Sequence, residues 1–255
     1  CNPVTGCVGR SPYTKGSFCR SKALVIPMKK NCPFRIPSYG VLPILLVILF
    51  NALAFNVTRL VSTDLLHYNM SLPIDARLPF VPCFILFYVL AFPQWILSYI
   101  LIAREEEAFC CRVIAGELIA KLLCAAVFIL LPTTMARPEV TGTDFFSWAV
   151  RLIYRLDAPD NLFPSIHVLE SWLCFRAALQ LKKPGRWYRW VSLALTLLVF
   201  ASVLLIKQHV VVDIAGGILV MELGQLLSRI TGAGRLLQSL SRRFLRKFSK
   251  AGDAA

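Results

Sequence analysis

Residues 41–55 read VLPILLVILFNALAF, with Asn51 the one hydrogen-bonding side chain in the run. A helix in water keeps one polar face, whereas this stretch is apolar all round, as a lipid-surrounded helix must be. About 20 such residues cross the hydrocarbon core of a bilayer, and the run extends over roughly 40–58. Working outward, similar runs lie at roughly 80–102, 113–132, 163–181, 188–206 and 209–228. Composition agrees: 57% of the 255 residues are hydrophobic and 16% charged, against about 45–50% and 25% in soluble domains. In lipid the backbone must satisfy its own hydrogen bonds, which these segments do as helices. The expected fold is an all-α membrane protein, a bundle of six transmembrane helices. Glu117 and Lys121 interrupt the third run at i, i+4, a spacing that pairs them on one helix face. Lys121 is expected to snorkel from there to the interface.

Charge sets the orientation. The chain carries a net charge of +14. With six spans, twenty Lys and Arg residues fall on the side of both termini, and six (Arg59, Arg77, Arg137, Arg151, Arg155 and Lys207) fall opposite. The positive-inside rule then places both termini in the cytoplasm. The basic excess is accounted for as a topology signal, so no nucleic-acid partner is expected. Three regions follow: a basic mobile tail over 1–36, a six-span membrane domain over 37–231, and a basic amphipathic tail over 232–255. Segment 235–248, RLLQSLSRRFLRKF, suits anionic lipid headgroups at the cytoplasmic surface, or else is a simple topology anchor without a specific partner. Segment 145–156, FFSWAVRLIYRL, reads as a second surface helix, on the other side. The cysteines match no metal-site spacing, and no protein partner follows from the sequence.

Two of the three histidines carry the chemistry. His167 lies in DNLFPSIHVLES, at the outer end of the fourth run, and His209 lies in IKQHVVVDIAGG, at the outer end of the sixth. Six spans bring both to one membrane face at similar depth. Asp213 follows His209 by four residues and shares its helix face. A carboxylate there holds the imidazole in one tautomer and stabilises its charged form. An acid inside a membrane costs several kcal/mol to bury and usually marks function. Tight turn chemistry around Lys207 and Gln208 joins the last two runs, and Gly216 with Gly217 permits close helix approach.

The strings FPSIH and KQHVVVD resemble two of the three signature blocks of the type-2 phosphatidic acid phosphatase superfamily. These blocks are Pro-Ser-x-His and Ser-Arg-x5-His-x3-Asp, preceded by Lys-x6-Arg-Pro. The form N-x-F-P-S-x-H with K-Q-H-x3-D resembles its branch near the inositol-phosphorylceramide synthases. The resemblance covers about residues 40–230 and implies roles residue by residue. His209 would attack phosphorus, Asp213 would orient it, and His167 would protonate the leaving alkoxide and then activate water. Ser165 and the helix start beside it would bind phosphate oxygens, and Arg137 would clamp them with its planar fork. No metal or other cofactor is implied.

The chain departs from that pattern at two cations. Leu130 stands where the first block has Lys, and Val203 stands where the third has Arg. Lys207, two residues before His209, is the candidate replacement, or else an interfacial Lys closing a tight loop. Glu170, one turn after His167, is within reach of a hydrogen bond to it or to an alcohol headgroup, or else faces outward. Asp160 and Asn161 are expected to shape the turn before the Pro-Ser-x-His block. Asp75 and Arg77, in the first outer loop, are placed to reach a headgroup or merely to build that loop.

The expected function is a membrane lipid phosphate or isoprenyl pyrophosphate phosphatase, working through a phosphohistidine at the non-cytoplasmic face. That face is periplasmic, extracellular or lumenal, and the membrane is the inner one if the source is bacterial. Two alternatives stay open: a headgroup transferase that uses a lipid alcohol in place of water, and a degenerate lipid-binding or transport protein.

Overall fold

The computed structural model describes residues 35–252. The tail expected over 1–36 lies almost wholly outside the described residues. The helices are α1 (Ser38–Ser62), α2 (Pro73–Arg77), α3 (Ile85–Arg104), α4 (Glu107–Leu130), α5 (Phe145–Leu156), α6 (Ile166–Ala178), α7 (Trp187–Leu205), α8 (Val211–Thr231) and α9 (Ala233–Gly252). A parallel two-residue ladder joins β1 (Tyr68–Asn69) to β2 (Thr133–Thr134). Five helices are long and apolar enough to cross a membrane: α1, α3 with the 3-10 turn before it, α4, α7 and α8. Their outward faces carry large apolar side chains such as Leu45, Ile48, Leu60, Leu86, Ile96 and Leu219, a surface that water would not tolerate but lipid matches.

The fourth expected span differs from its prediction. Residues 163–181 yield only the 13-residue α6, about 20 Å long at 1.5 Å per residue, short of the ~30 Å hydrocarbon core. Pro164 keeps the helix from starting earlier, and Ser165 caps it, accepting from Val168 N–H at 3.4 Å. The helix is packed between α3, α7 and α8, so its length is not matched to lipid. At its start, Ser165 N–H donates to the Asp213 carbonyl at 3.3 Å. At its far end, Ala178 and Leu181 pack with Tyr188, Leu101 and Phe109.

The connections gather at two ends of the bundle. At one, Val81 N–H donates to the Leu205 carbonyl (2.9 Å) and Tyr68 N–H to that of Pro132 (2.9 Å). At the other, the amides of Lys182 and Lys183 donate to Glu105 Oε1. Helix α9 docks at that second end, with Ser241 Oγ donating to the Tyr39 carbonyl at 2.8 Å and Arg242 paired to Glu107 at 2.7 Å. The amphipathic α5 forms over 145–156 as expected, capped by Asp144, which accepts from the amides of Phe146 and Ser147. It buries Val150 and leaves Phe145, Trp148 and Leu156 exposed.

Two side chains sit otherwise than expected, and a third, Asp75, takes the structural one of its two expected roles. Lys121 does not snorkel: it is 1% exposed and lies 2.7 Å from both Glu117 and Glu170. Glu170 correspondingly turns inward, to Lys121 and the Tyr99 hydroxyl, and not toward His167 or outward. Two carboxylates at hand make desolvation of the ammonium tolerable, which a reach to the interface would otherwise avoid. Asp75 reaches no open space. Its Oδ1 accepts from Val211 N–H at 2.8 Å and its Oδ2 from Leu72 N–H at 2.7 Å, so it satisfies a first-turn amide of α8 that has no intrahelical acceptor.

Candidate active site

The short α7–α8 connection positions His209. Helix α7 ends at Leu205, Lys207 takes a positive φ of 53°, and the amides of Gln208 and His209 both donate to the Val203 carbonyl. Helix α8 begins two residues later with Asp213 in its first turn. Asp213 Oδ2 accepts from His209 Nδ1 and from Val210 N–H, each at 3.0 Å. A carboxylate only accepts, so Nδ1 carries the proton and Nε2 keeps its lone pair. Asp213 is fully buried. Close approach behind it is permitted by Gly217, where a Cβ would lie 2.8 Å from the Ser165 carbonyl oxygen and 2.9 Å from Val168. The expected glycine contact therefore joins α8 to the start of α6.

That start delivers His167 opposite His209, with ring centroids 6.2 Å apart. Three aromatic residues of α3 surround it. Tyr88 stacks on it at 4.2 Å, Phe92 meets it edge-on at 5.9 Å, and Trp95 lies tilted at 5.3 Å. Trp95 is itself held by its indole N–H donating to Ser171 Oγ at 3.0 Å. His167 Nε2 is buried and has no hydrogen-bond partner among the described residues. Both histidines line one cavity of about 320 Å³, together with Phe55, Phe128, Asp157 and Asp160. The Asp160 carboxylate lies 3.2 Å from Arg59. The Asp157 carboxylate has no hydrogen bond or salt bridge within the described residues. Burial pushes its carboxyl above the usual range, while His209 and Arg137 nearby pull the other way.

The proposed phosphate ligands are spread unevenly around this cavity. Arg137 stands behind it, with its guanidinium over the Tyr154 ring at 4.6 Å. It donates to the Asp157 carbonyl at 2.6 Å and to Gln208 Oε1, and its Nε is buried without a partner among the described residues. Ser165 is fully buried as the cap of α6. Lys207 points away, its ammonium donating to the carbonyls of Asp75 and Leu78 at 2.8 Å each. Asp160 and Asn161 do shape the turn: Asn161 has a φ of 51° and donates to Ser62 Oγ at 3.1 Å, and Asp160 bridges to Thr134. Asp157 and the α3 aromatics belong to the site without having been expected there from the sequence. Asp157 stands three residues before Asp160 in the same acidic turn, which was its available signal.

Among the described residues, no group of three His, Cys, Asp or Glu side chains is placed to hold a metal ion. No curated protein and no solved structure matches the chain. A family model described as the PAP2 superfamily matches residues 65–227, which include both cavity-lining histidines, Asp213, Arg137 and the cavity's Asp157 and Asp160. Two histidines facing one another across a cavity, one held by an aspartate four residues on, sit inside that match, and the chain belongs to the type-2 phosphatidic acid phosphatase superfamily.

Proposed function

We propose that this protein hydrolyses phosphate esters of membrane lipids through a phosphohistidine on His209. The observation that carries the reading is the His209–Asp213 contact of 3.0 Å in a cavity shared with His167. His209 Nε2 attacks phosphorus, the P–O bond to the leaving group breaks, and His167 gives that oxygen a proton. The phosphorylated ring is cationic, and the Asp213 carboxylate on Nδ1–H stabilises it. Water then donates a proton to His167 and its oxygen bonds phosphorus. The P–N bond breaks, and both rings return to their starting states. The reading uses no metal, because Arg137 and the first turn of α6 offer positive potential to the phosphate.

The assay is release of the water-soluble phosphate product from lipid phosphate esters in detergent with EDTA present, inhibited by vanadate. In that assay Arg137→Ala is expected to raise KM by about tenfold or more, and Arg137→Lys to recover little, since a point charge does not replace the planar fork. Vanadate inhibition of equal strength in the wild type and Arg137→Ala would remove Arg137 from phosphate binding. The aromatic walls of the cavity favour a second reading, in which a lipid alcohol takes the place of water. Mass spectrometry of products with added lipid alcohol separates the two.

The same proposal has α6 as a sixth crossing, both termini in the cytoplasm and the cavity at the opposite face. Thr143 and Arg186 are exposed positions on the two sides of that arrangement. With native cysteines replaced, a membrane-impermeant maleimide added to intact cells is expected to label Thr143→Cys and not Arg186→Cys. The reverse pattern would invert the topology.

A further inference from the structure

The charge of the cavity does not suit a phosphate monoester. Its lining residues include Asp157 and Asp160 and no Lys or Arg. Arg59 pairs with Asp160 at 3.2 Å, which leaves Asp157, near His209 and Arg137 but bonded to neither through its carboxylate, as the lining acid without a direct partner among the described residues. Five aromatic residues, Phe55, Tyr88, Phe92, Trp95 and Phe128, share the remaining walls with aliphatic side chains and two asparagines. Neither residue that stands at a family cation position lines the cavity, since Leu130 is 82% exposed and Val203 is fully buried, and the candidate replacement Lys207 points away from it. A monoester near neutral pH carries between one and two negative charges, and a dianion beside an open carboxylate is repelled. A diester carries one.

Aromatic faces joined to a carboxylate make a good site for an organic cation, because the ring quadrupoles and the anion attract it while the walls strip its water. We propose that this cavity takes a positively charged amine headgroup, so that the lipid opened here is an ammonium-bearing phosphodiester. The phosphate then lies against the histidines, with Arg137 behind them, and the ammonium lies against Asp157 and the rings of Trp95 and Phe55. This rests on the phosphohistidine reading and narrows its substrate. With the headgroup held, His209 Nε2 bonds phosphorus and the P–O bond to the lipid breaks. The lipid alkoxide takes the proton from His167 and leaves as a neutral alcohol, and the phosphoryl amino alcohol stays on His209. Water releases it as the free phosphate ester of the amino alcohol, returning a proton to His167.

The test presents one diacylglycerol with three headgroups to the purified protein: phosphatidylcholine, phosphatidylglycerol and phosphatidic acid. Products are followed by mass spectrometry. The expected kcat/KM for phosphatidylcholine exceeds the other two by about tenfold or more, the size of one cation–π or ionic contact in a desolvated site. Asp157→Asn and Trp95→Leu are each expected to shrink that ratio several-fold. Phosphatidic acid turned over fastest, or a ratio unmoved by Asp157→Asn, would overturn the headgroup assignment while leaving the phosphohistidine intact. Turnover of none of the three would instead count against the phosphohistidine reading. The headgroup is then read by calorimetry on His209→Ala, with phosphocholine and glycerol 3-phosphate as probes. Tighter binding of phosphocholine supports the proposal, and equal or weaker binding ends it.

Discussion

His209→Ala is expected to lower kcat by about four orders of magnitude or more, the usual consequence of removing a covalent nucleophile. The side chain lies at the cavity wall and is 10% exposed, so its loss leaves the bundle packed and the elution profile in detergent unchanged. Asp213→Asn is expected to cost less, about 10²- to 10⁴-fold, because an amide still fills the space but no longer favours the cationic ring. The graded pair separates an attacking histidine from one that only binds phosphate, for which both variants would raise KM and spare kcat. His167→Ala offers a direct view of the intermediate. Without a base to activate water, a substrate with a good leaving group such as a nitrophenyl ester should leave phosphate on His209, detected as an alkali-stable, acid-labile adduct. An unlabelled protein in that experiment, with turnover retained, would rule out the covalent route.

Much of this site was legible because its informative spacings are local. His209 and Asp213 share one helix face by periodicity alone, and six apolar runs are enough to bring His167 to the same end. The surface helix over 145–156 was legible for the same reason. What escaped the sequence depends on which neighbour a face meets. The i, i+4 spacing pairs Glu117 with Lys121, but only the packing of α6 against α3 and α4 supplies Glu170 and turns the lysine inward. The shortness of α6 follows from Pro164 and Ser165, whose effect on a helix start competes with an apolar run that continues through them. Asp157 sits in a turn without periodicity, and the aromatics of α3 read as lipid-facing residues until His167 is set among them.

Lys121→Met is expected to be the most destabilising single change, by about 3–5 kcal/mol, the range for breaking a buried ion pair from one side. The ammonium lies 2.7 Å from Glu117 Oε1 and 2.7 Å from Glu170 Oε1, and all three side chains are at most 2% exposed. The Tyr99 hydroxyl donates to Glu117 at 2.6 Å and also contacts Glu170. Methionine fills the volume but leaves two carboxylates facing one another in a dry bundle, where at least one must take up a proton or drag in water. A thermal midpoint in detergent lower by about 10 °C is the expected reading. Neutralising the acids as well, in Glu117→Gln/Lys121→Met/Glu170→Gln, should recover most of that loss, since an intact buried cluster contributes little net stability beyond its apolar equivalent. The triple variant then tests why charges are kept there at all. Glu170 lies one turn below His167 on α6, and its bonds to α4 and α3 fix the rotation of that helix. If the cluster serves to aim His167 into the cavity, the triple variant will be stable and slow, with kcat reduced and KM little changed. A variant both stable and fully active would show that packing alone sets the helix, and that the cluster has no part in positioning the acid.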